Sequence, residues 1–249
     1  MADLPDLTGT VTLVTGASGN IGRGIALRFA AAGSAVALHC HRSPDAAHAL
    51  AREIGAAEVF PADLTDEHAC HELVAAVVAW RGRLDALVNN AGIQPVEPLA
   101  GMPASTWRTM LEANVTSAFS CTQAAARVMR AGGSVTHIAS IEAGRPAAGH
   151  AHYAAAKAAL VMHARAAALE YGPAGIRVNT VSPGLIDRPK LDVEWPEGVS
   201  RWQHAAPLGR LGTPADVGNA CVFLASPMAA WITGHDLTVD GGVSTRPSW

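Results

Sequence analysis

The sequence predicts an α/β fold: a doubly wound, seven-stranded parallel sheet with helices on both faces. Seven short apolar or β-branched runs alternate with stretches of 3.6-residue apolar periodicity, and no Ser/Pro/Gly linker or internal repeat divides them. Strands that alternate with helices pair in parallel and need cover on both faces. At 249 residues, 49% hydrophobic and 16% charged, the chain has ample apolar surface for one large core, and it reads as a single domain over residues 1–249.

The first strand, TVTLVT (10–15), runs through a Gly-rich turn into a helix over 21–32. AVALHC (35–40) and AEVFPAD (57–63) are the second and third strands, with periodic stretches at 46–55 and 67–81. LDALVNN (84–90) is followed by one long periodic stretch, 105–131, and GSVTHIAS (133–140) by an Ala-rich one, 152–171. IRVNTVSP (176–183), a helix over 214–225 and DLTVDGG (236–242) complete the series. Residues 185–211 break the alternation, with Pro189, Pro196, Pro207 and two tryptophans but no clean period. Such a segment reads as a lid or substrate loop. It follows the carboxyl end of the sixth strand, the side on which open parallel sheets bind ligands.

A formal net charge of −3 offers no basic field for nucleic acid or an anionic membrane surface, so the expected partner is a small molecule. Cys40, Cys70, Cys121 and Cys221 lie far apart without C-x-x-C spacing and read as buried free thiols of a reducing compartment. The amino-terminal segment lacks a basic region and an apolar region, and no apolar run approaches about 20 residues, so a cytoplasmic protein is expected. The eleven histidines show no metal-ligand spacing; they read as solvated or lightly buried, and no metal is expected.

The turn TGASGNIGRG has the strand, turn, helix order of a dinucleotide site, although G-x-G-x-x-G is not met from Gly16. Tyr153 and Lys157 stand four apart in a helical pattern and so project from one face. A phenol with a pKa of about 10 is a poor acid-base group at neutral pH, and a neighbouring ammonium favours the phenolate. Ser140 ends the fifth strand, where a hydroxyl can steady charge on a substrate oxygen.

Together TGASGNIG, NNAG (89–92), Asn114 in EANVTSAF, Ser140, the Tyr153/Lys157 pair, SPG (182–184) and DGG (240–242) resemble the short-chain dehydrogenase/reductase family over nearly the whole chain. The resemblance implies a Rossmann-like sheet and an oxidoreductase that reduces a ketone or aldehyde to an alcohol, or the reverse. It makes Tyr153 the general acid, Ser140 the residue that orients the carbonyl, and Lys157 the group that lowers the tyrosine pKa and holds the nicotinamide ribose. Asn114 would position a water behind Lys157. Gly16, Ser18, Asn20 and Ile21 would hold the pyrophosphate, Asp63 and Leu64 the adenine, Asn90, Ala91 and Gly92 the adenosine side, and Pro183, Gly184 and Ile186 the nicotinamide. A homotetramer built on the helices at 105–131 and 152–171 is also implied.

Enzymes that choose NAD usually end the second strand with a carboxylate. Here Cys40 takes that place, and His41, Arg42 and Ser43 suit a phosphate dianion, so NADP(H) is expected, with NAD(H) as the alternative. LHCHRS also resembles the same strand end in pteridine reductases. Three departures stand out: Asn20 replaces the middle glycine of T-G-x-x-x-G-x-G, with tolerance of positive φ as the expected reason; Asp187 and Arg188 occupy a place where many members carry Thr; Glu142 and Arg145 follow Ser140. Glu142, Trp195 and Trp202, with Ser140 and Tyr153, are the expected substrate residues, and His204 lies in the same segment. A 3-oxoacyl-thioester reductase, a pteridine-type reductase and a non-catalytic dinucleotide sensor are the alternative functions.

Overall fold

The computed structural model describes residues 4–245; residues 1–3 and 246–249, which the expected domain includes, lie outside the described residues. All seven expected strands form: β1 (Val11–Val14), β2 (Ala35–Cys40), β3 (Ala57–Pro61), β4 (Ala86–Asn89), β5 (Ser134–Ile138), β6 (Arg177–Pro183) and β7 (Asp236–Val239). They make one parallel sheet in the order β3-β2-β1-β4-β5-β6-β7. Every residue of β1, β4, β5 and β6 is buried, because both faces are covered. β3 and β7, at the edges, are only half-buried, and an edge strand tolerates Pro61.

Helices α1 (Asn20–Ala31), α2 (Pro44–Ile54), α3 (Glu67–Arg81), α4 (Ala104–Leu111), α5 (Ser117–Ala126), α6 (Ala151–Tyr171), α7 (Leu191–Glu194), α8 (Pro196–Ala205) and α9 (Pro214–Ala225) connect the strands. Ile25 and Phe29 of α1 pack with Leu50 of α2 and Val217 and Val222 of α9 on one face of the sheet. Leu73 and Val77 of α3, Cys121 and Ala124 of α5, and Ala164 and Ala167 of α6 cover the other. Capping marks the starts that are sharp in sequence: Thr213 and Asp216 form a reciprocal capping box with Pro214 in the first turn of α9, and Asp66 caps α3.

Two expected elements come out differently. The single helix at 105–131 is α4, a π turn over Glu112–Thr116, and α5, which ends at Ala126. Within the π turn the side-chain amide of Asn114 donates to Met110 O at 3.1 Å, taking an acceptor that α-helical geometry gives to a backbone N–H. Residues 185–211 are not structureless, since they contain α7 and α8. These helices are too short for a period to stand out, yet Leu191, Val199 and Leu211 bury against one another with Leu185 and Trp202. The histidines also depart from expectation: His39, His137 and His152 are buried. His39 and His137 are accommodated by hydrogen bonds at both ring nitrogens. All four cysteines are buried and free, as expected. Among the described residues no helix is long and apolar enough to cross a membrane.

Candidate active site

The order β3-β2-β1-β4 reverses direction at β1, and the carboxyl ends of β1, β4, β5 and β6 open there into a cleft of about 1140 Å³. Gly16 follows β1 with φ +62, a conformation that favours glycine. Three side chains hold its turn. Thr15 Oγ1 accepts from the N–H groups of Asn90 and Ala91 at 2.9 and 3.0 Å, and Asn90 Nδ2 donates to Thr15 O at 2.9 Å and Gly16 O at 3.2 Å. His39 Nδ1 accepts from the Gly16 N–H at 3.0 Å. Asn90 thus spends its side-chain donors on the turn. Beyond it, Ser18, Gly19, Asn20 and Ile21 line the cleft at the start of α1, whose Gly19 N-cap provides no side-chain cap. The amides of such a helix start suit an anion.

Asn20 corrects one expectation. It is the first residue of α1, and Lys190 is the one non-glycine with positive φ among the described residues, so conformational tolerance does not explain Asn20. Its Nδ2 donates instead to Asp187 O at 2.7 Å, tying the Gly turn to the segment after β6. Arg188 lines the cleft and pairs with Glu194 at 2.6 Å.

At the outer end, His41 and Arg42 line the cleft after β2, whereas Ser43, expected there too, does not; it is the N-cap of α2. Asp63 and Leu64 line it after β3, but the Asp63 carboxylate accepts from Thr65 N and Oγ1 at 3.0 and 2.8 Å and lies 3.7 Å from His41 Nε2. Those hydrogen bonds lower its pKa.

At the inner end, Ser140, Tyr153, Lys157 and Asn114 line one wall. Ser140 follows β5, its Oγ accepting from Glu142 N at 3.1 Å and meeting the Tyr153 hydroxyl. Burial pushes the Tyr153 phenol up to about 12; the Ser140 hydrogen bond opposes this and the Glu142 charge adds to it. Lys157, buried, donates from Nζ to Ile138 O at 2.8 Å and lies 5.3 Å from the centre of the Tyr153 ring, with its pKa pulled down by burial to about 8. The Lys157 ammonium, expected to lower the tyrosine pKa, sits over the face of the Tyr153 ring. Asn114, held by Nδ2 bonds to Ile93 O and Met110 O, keeps a buried Oδ1 with no protein partner. A Cβ on Gly92 would fall 2.3 Å from that oxygen, so glycine is what lets the two approach.

Ala91 and Gly92 after β4, and Pro183, Gly184 and Ile186 after β6, also line the cleft. Glu142, Trp195 and Trp202, expected to meet the substrate, line it as well, as does Arg145, while His204 does not. Glu142 bonds His150 rather than standing alone, with Oε2 2.8 Å from Nδ1. Thr15, His39 and His150 were missed in the sequence. Thr15 sits directly before Gly16, which is a usable signal; the two histidines act through contacts made only on folding.

A parallel sheet with a glycine turn at its switch point and a tyrosine–lysine pair at the inner end of the same cleft is the arrangement of a dinucleotide-dependent oxidoreductase. Residues 16–244 match the family model described as enoyl-(acyl carrier protein) reductase, and the chain belongs to the short-chain dehydrogenase/reductase family. It is 40% identical over 244 residues to an L-rhamnose 1-dehydrogenase (NAD(P)(+)) of Azotobacter vinelandii, covering 93% of this chain and 95% of the relative. It is 35% identical over 244 residues to a 3-oxoacyl-[acyl-carrier-protein] reductase of Synechocystis, covering 95% and 98%. A crystal structure of a short chain dehydrogenase from Burkholderia cenocepacia in complex with NADP superposes with a TM-score of 0.89 at 35% identity, covering 96% of this chain and 99% of that one.

Proposed function

We propose that the protein is an NADP(H)-preferring oxidoreductase that interconverts a small carbonyl compound and its alcohol, with Tyr153 as the general acid and base. The observation that carries this reading is the convergence of Ser140, Tyr153, Lys157 and Asn114 at the inner end of the cleft whose outer end is lined by the Gly turn, His41 and Arg42. The residues fit a nicotinamide dinucleotide: amides at the start of α1 for the pyrophosphate, no carboxylate at the end of β2, and His41 and Arg42 for a ribose phosphate. Bound there, the dinucleotide supplies or takes the hydride.

The chain's own residues manage the proton. Ser140 Oγ hydrogen-bonds the substrate oxygen beside the Tyr153 hydroxyl, and Tyr153, held protonated by its burial, gives that oxygen its proton during reduction. Lys157 binds a ribose hydroxyl, and Asn114 Oδ1 accepts from a water that returns the proton behind Lys157. Pro183, Gly184 and Ile186 form the wall against the nicotinamide, and Asp63, Leu64, Asn90 and Ala91 the adenosine side.

The relatives frame the substrate. The identity to an L-rhamnose 1-dehydrogenase supports an alcohol carried on a polar ring. The 3-oxoacyl-[acyl-carrier-protein] reductase supports a second reading, an acyl thioester. The protein is proposed to act as a cytoplasmic homotetramer joined through α5 and α6, where Phe119, Met162 and Leu169 are exposed. Residues 185–211 act as the lid of a single domain.

Initial rates for a panel of ketones, aldehydes and alcohols with each dinucleotide test the proposal. Turnover with a higher kcat/KM for NADPH than for NADH is expected, and Tyr153→Phe should lower kcat by roughly 10²–10⁴ while the dinucleotide still raises Tm. No turnover with any pair, or full activity in Tyr153→Phe, overturns it; equal or better use of NADH overturns the cofactor preference.

A further inference from the structure

Two residues beside the catalytic pair do work that the hydride reaction itself does not require. Glu142 lies two positions after Ser140 and His150 three before Tyr153, so the loop between β5 and α6 brings them together across the site. Their side chains are 15% and 17% exposed, and both line the cleft. Glu142 Oε2 and Oε1 lie 2.8 and 3.1 Å from His150 Nδ1, and Gln94 Nε2 donates to Oε1 at 3.3 Å. A carboxylate accepts and an imidazole donates, so in this contact the proton is on Nδ1. The His150 ring in turn packs edge-to-face on Tyr153, with centroids 6.1 Å apart.

A carboxylate has about four lone-pair sites, and His150 with Gln94 leaves capacity unused. A mostly buried acceptor set, close to the reacting groups, recognises donors on the substrate near the reacting carbon. An acyl chain fits this wall poorly, because an apolar group would strip water from the carboxylate without replacing its hydrogen bonds. An anionic substituent would be repelled by it. Neutral hydroxyls satisfy it, and the indole faces of Trp195 and Trp202, which line the same cleft, suit the C–H face of a ring.

We propose that Glu142, positioned by His150 and Gln94, binds a hydroxyl on the carbon next to the reacting one and thereby selects a polyhydroxylated ring over a monofunctional carbonyl or an acyl thioester. The inference rests on the oxidoreductase reading above and assigns the substrate class of that site. His150 is a positioning residue: its Nδ1–H fixes the carboxylate, and its ring braces Tyr153.

The test compares an aldopyranose panel and inositol with cyclohexanol, a ring without further hydroxyls, in the wild type, Glu142→Gln, His150→Ala and His150→Asn. In the wild type, kcat/KM for the best polyol should exceed that for cyclohexanol. Glu142→Gln should raise KM for the polyol about tenfold or more and lower kcat/KM far more for the polyol than for cyclohexanol. His150→Ala should follow Glu142→Gln, whereas His150→Asn, which keeps an N–H in place of Nδ1, should restore most of the loss. Equal losses for both substrate classes would reduce the pair to a loop staple and overturn the inference. So would a wild type that prefers cyclohexanol or a 3-oxoacyl thioester, although the oxidoreductase reading would then stand. Absence of turnover for every substrate with either dinucleotide removes that reading, and this inference falls with it.

Discussion

One imidazole, that of His39, joins three chain segments. It sits on β2, takes the Gly16 N–H on Nδ1 and lies 3.1 Å from Ala62 O with Nε2, so the tautomer carries its proton on Nε2. Burial lowers its pKa, which keeps the acceptor nitrogen available. In sequence it reads only as a strand residue, because its partners are 23 positions away on either side. His39→Leu removes both bonds and should weaken dinucleotide binding about tenfold by calorimetric titration, whereas His39→Asn, which can still accept from Gly16, should cost far less. Wild-type affinity in His39→Leu would mean that Thr15 and Asn90 set the turn without it. Tyr153 makes the second prediction at this scale. With the phenol raised to about 12, its acid form prevails at neutral pH and its base form is scarce. Alcohol oxidation, which needs the base, should therefore keep rising with pH beyond about 9, while carbonyl reduction, which needs the acid, stays nearly level until the pH approaches 12. A pH–rate profile for oxidation that levels off near neutrality would show that the working tyrosine has a much lower pKa.

The elements divide by how locally they are determined. β1, β4, β5 and β6 are buried on both faces, so apolar and β-branched residues predominate in each and they could be placed from sequence. The Tyr153/Lys157 pair was legible for a similar reason, since four-residue spacing on a helix is itself the geometry. What escaped depends on contacts between distant segments. The π turn at Glu112–Thr116 keeps helical periodicity in sequence and is marked only by the Asn114 side chain reaching Met110 O. The pairing of Glu142 with His150 needs the loop after Ser140 to fold back. Asn20 looked like a conformational substitute for glycine, but it bonds Asp187 O across 167 positions. Because that link joins the Gly turn to the base of residues 185–211, Asn20→Gly should speed limited proteolysis within that segment and raise the dinucleotide Kd severalfold. The hydrogen bond is exposed, so its loss should cost only about 1 kcal/mol. Proteolysis at the wild-type rate would show that Ile186 and the cluster around Leu191 anchor the segment alone.

For the molecule as a whole, the acid limit of stability follows from a histidine at its centre. His137, on β5, is fully buried, with Asn89 Nδ2 3.1 Å from Nδ1 and His163 Nδ1 3.1 Å from Nε2, and it stacks on the His163 ring. Burial first, then the charges of His163 and Lys157, pull its pKa down to about 3 from an ordinary 6.5. In an unfolded chain the same group takes up a proton near its ordinary pKa. Between those two values the unfolded state binds more protons, so stability present above pH 6.5 is lost as pH falls toward 3. The full shift corresponds to something on the order of 5 kcal/mol, a large share of the roughly 5–15 kcal/mol that holds a folded protein. The urea midpoint of the wild type should therefore drop steeply from pH 7 to pH 4.5. His137→Asn removes the titrating ring but keeps polar atoms for Asn89; it should begin less stable at pH 7 and lose distinctly less over that interval. His39 and His163, whose pKa values burial also lowers, remain in the variant, so its acid limb should be shallower rather than flat. Equal slopes in the two proteins would mean that His137 is not the group whose protonation the native core resists.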